Sequence, residues 1–580
     1  MQKNAPIFAA LLALLALAVL FSGCLSPTTP GGDSNQSPPQ DDNGTVQPQE
    51  ETAVLVVDAS SDLGGFNDYL FGTLSNPSST ARGYELLRGA NFRLAEVLVK
   101  VPVPADPELD SSYDFGSLDS QMENVIGAGA EPMVWFNPDN KPANLEDYSV
   151  YVKKVAARAA ELYGARIFRF GNEPDNAAYW KGTQEEFFET FEAFSDSVKS
   201  VDKDLLVDSP GVMVPVVDGK VSEWITNFLE YCEENDVKVD YVSFHTYSPA
   251  PYSFYANAMA VKAEADKYQI SDIYGTPKIG NDEWNLLVGD MWGKKIYHSQ
   301  FDGAWVASSN ILSLMSMMEA GTELSIRYGG TSNSKAECHD FPLTDCDEKG
   351  KPAYYAFSAF NQLAGAYRLD SGGGDKMNLG IISGRKGDEI IAVISNYDVK
   401  AYVDAYETDK TRPSYKEYER FVSEFGEPKV HEGYELQIDN IPYAEGLVYE
   451  KYVIDDGGMR LDKKDSLAYS EKVIISESME SPSVQLVLIY PTGASQTSEA
   501  IQSVMDLAGE SAGNEDAEIP DTGETKEPSC GDGTCGPAEN PVLCPEDCEA
   551  TSDGTGGGTC GDGICGSVER TKGLCPEDCS

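Results

Sequence analysis

Ala165-Arg166-Ile167-Phe168-Arg169-Phe170-Gly171-Asn172-Glu173-Pro174-Asp175 is the stretch on which the reading of this chain turns. Ile167, Phe168 and Phe170 favour a strand, and no helical spacing of apolar residues runs through the segment. Gly171 breaks it, and Pro174 prevents either a continued ladder or a helix interior. Asn172 and Glu173 therefore stand at the C-terminal tip of a buried strand, where α/β barrels and open parallel sheets carry their chemistry. Taken alone, the same residues also describe an ordinary strand end followed by a turn.

Outward from this stretch, strand-like and helix-like patterns alternate to about residue 368. Strands are expected at 70–74, 92–99, 131–137, 167–170, 205–209, 241–244, 278–281 and 324–327, with amphipathic helical patterns such as 148–163, 184–201 and 303–320 between them. Eight β units at this spacing point to an α/β fold, a (β/α)8 TIM barrel over residues 53–368. A doubly wound open sheet competes, but no Gly-rich nucleotide fingerprint follows any strand. From 369 to 495 short alternating strands are separated by Gly, Asp and Pro, which fits an antiparallel β-sandwich. Ala53–Val57 could belong to either domain.

The ends differ in character. Residues 1–24 combine Lys3, an apolar run from Ile7 to Phe21 and Ser22-Gly23-Cys24, which reads as a signal segment. Leu20-Phe21-Ser22-Gly23-Cys24 resembles a prokaryotic lipoprotein box, with Cys24 as the lipid-bearing residue; an uncleaved signal anchor is the alternative. Both place the chain outside the cytoplasm, anchored at the cell surface. Residues 25–52 and 496–529 read as polar linkers that cannot bury enough apolar surface to order themselves.

Two cysteine repeats follow, 530–548 with Cys530, Cys535, Cys544 and Cys548, and 560–579 with Cys560, Cys565, Cys575 and Cys579; a linker, 549–559, separates them. Units this small are held by disulfides in an oxidising compartment, two per repeat with three pairings each, and zinc is the rival holder. Cys338 and Cys346 bracket a loop after the last barrel strand and are expected to bridge. Cys232, on an amphipathic helix, reads as a buried thiol.

The 580 residues leave room for two or three domains. Ninety-five acidic against 43 basic residues give a formal net charge of −52, which repels nucleic acid and acidic membrane surfaces alike. Membrane contact is thus expected only through the N-terminal anchor. Oligomeric state is not legible.

A carboxyl pair at one barrel mouth suits the cutting of a glycosidic bond, one group as acid/base and one as nucleophile or base. Glu173 is the first candidate. Glu283, in Lys278-Ile-Gly-Asn-Asp-Glu-Trp-Asn285 at the end of the seventh strand, is the second. Alternation along that strand is expected to turn Asp282 away from Glu283. No ligand cluster accompanies the carboxylates, so neither a metal nor a nucleotide cofactor is expected.

Asn172-Glu173-Pro174-Asp175 followed by Tyr179-Trp180 resembles the acid/base segment of family 39 glycoside hydrolases, the β-xylosidase and α-L-iduronidase group of the clan A retaining glycosidases. Gly280–Asn285 resembles its nucleophile segment, and Val57–Gly72 and Gly350–Phe357 also resemble family segments, so the likeness covers roughly residues 53 to 490. The resemblance implies Glu173 as acid/base, Glu283 as nucleophile and Asn172 as a ligand of the sugar 2-hydroxyl. It further implies Tyr247 as the residue orienting the nucleophile, His245 as a pocket histidine and Arg93 as an electrostatic support on the second strand. A packed strand-end histidine is the alternative reading of His245.

Two positions depart from the pattern. Ala95 stands where the family often has His, and Arg327-Tyr328 where the eighth strand commonly ends in Trp. Trp135, Trp180, Trp284 and Tyr328 are candidate sugar-stacking platforms, or else core. The implied activity is double displacement on an extracellular oligo- or polysaccharide, with carboxyl groups about 5–5.5 Å apart. An arabinofuranosidase, an endo-glycanase and a non-catalytic glycan-binding surface protein are the competing readings.

Overall fold

The computed structural model describes residues 52–509, except 75–79, 218, 288–300, 333–337, 376, 407–412, 444–445, 469 and 494. Cys24 and the eight cysteines of the C-terminal repeats lie outside the described residues.

Eight strands close a barrel: β1 (Gly72–Leu74), β2 (Leu94–Leu98), β3 (Glu131–Phe136), β4 (Ile167–Phe170), β5 (Leu206–Val212), β6 (Tyr241–Tyr247), β7 (Lys278–Asn285) and β8 (Thr322–Arg327). Every neighbouring pair is parallel, and β8 returns to β1. Strand alternation sorts the side chains. Leu94, Met133, Ile167, Leu206, Tyr241 and Leu324 meet inside the barrel. Their neighbours Val134, Phe168, Phe170, Val207 and Phe244 face out into the layer shared with the helices.

The helices have legible ends. Leu145–Tyr163 starts at Asn144, whose side chain accepts from the N–H groups of Glu146 and Asp147, and stops at Gly164 with φ 67°. Gln184–Val201 carries a reciprocal capping box between Thr183 and Glu186. Its buried Phe187, Phe191 and Phe194 recur at helical spacing and pack on Phe170 of β4.

Beyond the barrel, a six-stranded sheet runs in the order Tyr367–Arg368, Leu379–Lys386, Glu389–Asn396, Ser483–Pro491, Leu447–Asp455, Gly458–Leu467. A four-stranded sheet runs Asp370–Gly372, Ala53–Asp58, Gly433–Asp439, Lys472–Ser478. Leu55, Val57, Leu436 and Ile438 from the second share one core with Leu379, Ile390, Ile394 and Val487 from the first. The two sheets therefore form a sandwich. The other face of the larger sheet covers the barrel helix Ala304–Glu319, where the Ser395 hydroxyl donates to the Ser308 carbonyl at 2.8 Å. Burial on both faces explains why the central run Ile390–Ile394 is apolar throughout and does not alternate.

Several boundaries differ from the sequence expectation. Ala53–Asp58 belongs to the sandwich, paired parallel with Gly433–Asp439, so the barrel begins later and the sandwich is not wholly antiparallel. Its alternating burial suits a sheet with one solvated face, whereas a barrel strand is covered on both sides. Where an acidic linker was expected to begin, Gln496–Gly509 is a helix. Thr497, Ile501, Val504 and Ala508 place a buried stripe at helical spacing inside a polar composition, and the helix packs on Ala81–Gly89 and Pro352–Phe360. Helices Val399–Tyr406 and Pro413–Phe425 interrupt the sandwich. Cys338 and Cys346 are disulfide-bonded, and Cys232 is a buried free thiol.

Candidate active site

One layer above the apolar barrel floor, strand alternation turns Glu96, Trp135, Arg169, Asp208 and Ser243 inward. Arg169 is fully buried and organises this layer. Its Nη1 donates to Glu96 Oε1 at 2.7 Å, its Nε lies 2.5 Å from Asp282 Oδ2, and its guanidinium stacks 4.6 Å from the Trp135 ring. Nη2 reaches Asn172 Oδ1 and His245 Nε2, both at 3.0 Å. Burial pushes Glu96 up to about 7, with Arg169 pulling it back, and burial together with Asp282 raises Asp208 well above the carboxylate range. Arg169 thus stands at ion-pair distance from two buried carboxyl groups, Glu96 and Asp282.

The layer above holds Glu173, His245, Tyr247 and Glu283. His245 Nδ1 lies 3.0 Å from Glu173 Oε1 and 3.9 Å from Glu283 Oε1. The Tyr247 hydroxyl donates to Glu283 Oε1 at 2.8 Å. One oxygen of each glutamate and a ring nitrogen of His245 all lie within 4.8 Å of one another. Glu173 is buried, whereas the Glu283 side chain keeps 16% of its surface exposed. Such a triple could ligate a metal, but here its atoms are engaged with one another and with Tyr247. Cys338, His339 and Cys346 form a second cluster of ligand type, whose sulfurs are joined to each other.

The local backbone explains how these groups converge. After β4, Gly171 adopts φ 84° and Glu173 φ 43°, and the Glu173 N–H donates to the Gly211 carbonyl at 2.8 Å. Asp175 then accepts from the N–H groups of Met213 and Val214, which ties the loops after β4 and β5 together. Gly211 itself has φ 62°, and a Cβ there would lie 3.0 Å from Asp282 Oδ2 and 3.2 Å from Arg169 Nη2. Glycine is thus needed both for the turn and for the approach of the charged layer.

The pairing of β7 with β6 slips between Asn281 and Glu283, leaving Asp282 as the extra residue of a bulge. Asp282 and Glu283 consequently both face the barrel interior. Asp282 is not turned away from Glu283 as regular alternation predicts, because the strand is bulged at that point.

The loop after β8 buttresses Tyr247. Tyr328 and Phe341 pack edge-on against its ring, with centroids 6.3 and 6.1 Å away. Arg327, fully buried, donates to Asn310 Oδ1 at 3.1 Å and to the carbonyls of Tyr328, Gly329 and Phe341. Burial pushes its guanidinium down to about 9.

The family model described as glycosyl hydrolases family 39 matches residues 116–423, over half of the chain. This chain belongs to glycosyl hydrolase family 39. A β-xylosidase of Geobacillus stearothermophilus is 29% identical over 195 residues, 29% of this chain and 38% of that protein. A β-xylosidase of Caldicellulosiruptor saccharolyticus is 24% identical over 327 residues, 50% of this chain and 64% of that protein. The family 39 chain thus matches less than two thirds of the length of either curated relative. Among solved structures, a glucosidase from Croceicoccus marinus superposes with TM-score 0.63 at 21% identity, covering 76% of this chain and 99% of that one. A monomeric β-xylosidase from Caulobacter crescentus gives 0.57 at 14% identity, with 76% and 100% covered. At these identities the likeness speaks to the fold.

Against this family 39 frame, the sequence candidates divide. Asn172, Glu173, His245, Tyr247 and Glu283 come together, with Trp135 bordering them through its Nε1–H to the Gly171 carbonyl at 2.8 Å. Tyr328 lies behind Tyr247. Arg93 does not reach the site: it precedes β2 at the opposite end of the barrel, 39% exposed, 3.7 Å from Asp68. Its parity along the strand is opposite to that of the inward Leu94 and Glu96. The buried guanidinium comes from β4 instead, and β2 contributes its carboxylate partner. Trp180 is 3% exposed, packs on Phe187 and donates to the Thr183 carbonyl, so it is core. Trp284 is core too, facing outward against Phe254 and Phe357 with its Nε1–H on Ser325.

Arg169, Glu96 and Asp208 belong to the site although no sequence motif marks them as such. Tyr179 is half-buried, and burial with the charges of Glu173 and Glu283 pushes its hydroxyl up. The signal for Arg169 lay in the opening stretch itself: a cation on an otherwise apolar strand requires a buried carboxylate.

Proposed function

We propose that this family 39 member is a retaining glycoside hydrolase with β-xylosidase-like specificity, in which Glu173 is the acid/base and Glu283 the nucleophile. The observation that carries the reading is the carboxylate pair, with nearest oxygens inside 4.8 Å. Inverting enzymes hold their carboxyl groups roughly 6.5–9.5 Å apart to admit a water, and retaining ones about 5–5.5 Å.

Protonated Glu173 donates to the glycosidic oxygen while ionised Glu283 attacks the anomeric carbon, forming a glycosyl ester and releasing the alcohol. Water then adds from the vacated side, gives its proton to Glu173 and displaces the Glu283 carboxylate, so that configuration is retained. The Tyr247 hydroxyl aims the Glu283 carboxyl by donating to its Oε1. Asn172 Oδ1 is occupied by Arg169, so its amide hydrogens are the part left to meet the sugar 2-hydroxyl.

Xylose is favoured because both curated relatives are β-xylosidases. Action outside the cytoplasm, from an anchor at Cys24, follows from the apolar run before that residue. Hydrolysis of 4-nitrophenyl β-xyloside by the wild type, and its loss in a folded Glu283→Ala variant, tests the reading. Full activity in that variant removes Glu283 from the chemistry.

A further inference from the structure

We infer that Arg169 is a positioning residue of the site: by occupying His245 Nε2 it keeps the imidazole neutral, with its single proton on Nδ1 directed at Glu173. The inference rests on the glycosidase reading for its kinetic consequence but not for its structural content.

His245 has no exposed surface, so its protonation is set by the protein groups packed around it. Glu173 faces Nδ1 at 3.0 Å from the loop after β4, and Glu283 faces it at 3.9 Å from β7. Asp282, also on β7, lies 3.6 Å from Nε2, and Arg169 Nη2 on β4 lies 3.0 Å from the same nitrogen. Glu96 and Asp208 stand one layer below, around the guanidinium. Burial resists charging of the ring, while Glu283, Asp282 and the bond to Glu173 draw its pKa upward overall, with Arg169 opposing.

Hydrogen-bond geometry decides against the cation. A guanidinium nitrogen can only donate, so at 3.0 Å the facing Nε2 must accept. A second ring proton would set two N–H groups head to head and break the Arg169 contact. The same Nη2 also donates to Asn172 Oδ1. One buried nitrogen therefore fixes the orientation of the two side chains that flank Glu173. Lysine in its place would keep the charge opposite Glu96 and Asp282 but lacks the planar fork that reaches all four partners at once.

The test uses the full chain with ring-15N-labelled histidine, of which there are four, and assigns the His245 signals by their loss in His245→Gln. The wild type is expected to show one protonated and one unprotonated ring nitrogen from pH 5 to 8. In Arg169→Lys the ring gains a second proton within that range. The variant is also expected to lose kcat on an aryl β-xyloside about 10²-fold with little change in KM, the scale of a mispositioned acid/base group. A doubly protonated His245 in the wild type at pH 7 overturns the inference without needing any variant to fold. An Arg169→Lys protein with wild-type ring state and pH profile overturns it as well. Should the wild type cleave no aryl glycoside, the tautomer result still stands and the functional reading alone falls.

Discussion

Tyr247 gives its hydroxyl to Glu283 at 2.8 Å while its ring is held by Tyr328 and Phe341 from the loop after β8. The hydrogen bond is made to a group that must be anionic before it attacks, and bonds to charged partners contribute roughly 1.5–3 kcal/mol. Tyr247→Phe keeps the ring packing and removes only the donor. We expect kcat/KM to fall about 10- to 100-fold, with thermal unfolding shifted by no more than a few degrees. Unchanged kinetics would detach Tyr247 from Glu283 function.

Gly211 offers a test of the charged layer that touches no charged residue. A methyl group there meets Asp282 and Arg169 within 3.0 and 3.2 Å, at a φ of 62° that L-residues rarely adopt. Gly211→Ala should cost about 1–3 kcal/mol of stability. It should also lower activity more than its folded fraction explains, measured as specific activity of the soluble protein beside its denaturation midpoint.

The aromatic assignments separate by KM. Trp180 is buried against Phe187 and Thr183, so Trp180→Phe should lower the melting temperature and leave KM for an aryl xyloside within about twofold, since core truncation acts through packing. Tyr179, half-buried, feels the charges of both glutamates, and Tyr179→Ala is expected to raise KM several-fold at nearly wild-type stability.

A pH dependence of stability follows from Glu131 at the start of β3. Burial pushes its carboxyl up to about 7, with Arg166 and Tyr69 pulling back. The folded pKa lies above the unfolded value, so the native state binds the extra proton between roughly pH 4.5 and 7. Stability from this group is complete below that window and is lost as pH rises through it, by ~1.4 kcal/mol per pH unit at most. Glu131→Gln should therefore show a flatter decline of melting temperature from pH 5 to 8 than the wild type. An equally steep decline would contradict the assignment.

Much of the barrel was legible because its strands are short, apolar and regularly spaced, and β4 ends at the Gly171 break visible in the sequence. Periodicity failed where the backbone is irregular: the bulge at Asp282 turned an expected outward carboxylate inward. It also failed at Arg93 and Arg169: Arg93 precedes β2 with outward parity and stays exposed, whereas Arg169 lies on β4 facing inward and is buried. Ala53–Asp58 alternates as any half-exposed strand does, and its partner lies nearly four hundred residues away, beyond local pattern. The helix Gln496–Gly509 hid its four buried residues in a segment whose polar composition dominates.

The central claim is that Glu173 and Glu283 act by double displacement, and the stereochemistry of the first product tests it most directly. Proton NMR during early turnover of an aryl β-xyloside, before mutarotation, should show β-xylose appearing first, as retention requires. First appearance of α-xylose would contradict the account and return the carboxylate pair to an inverting role.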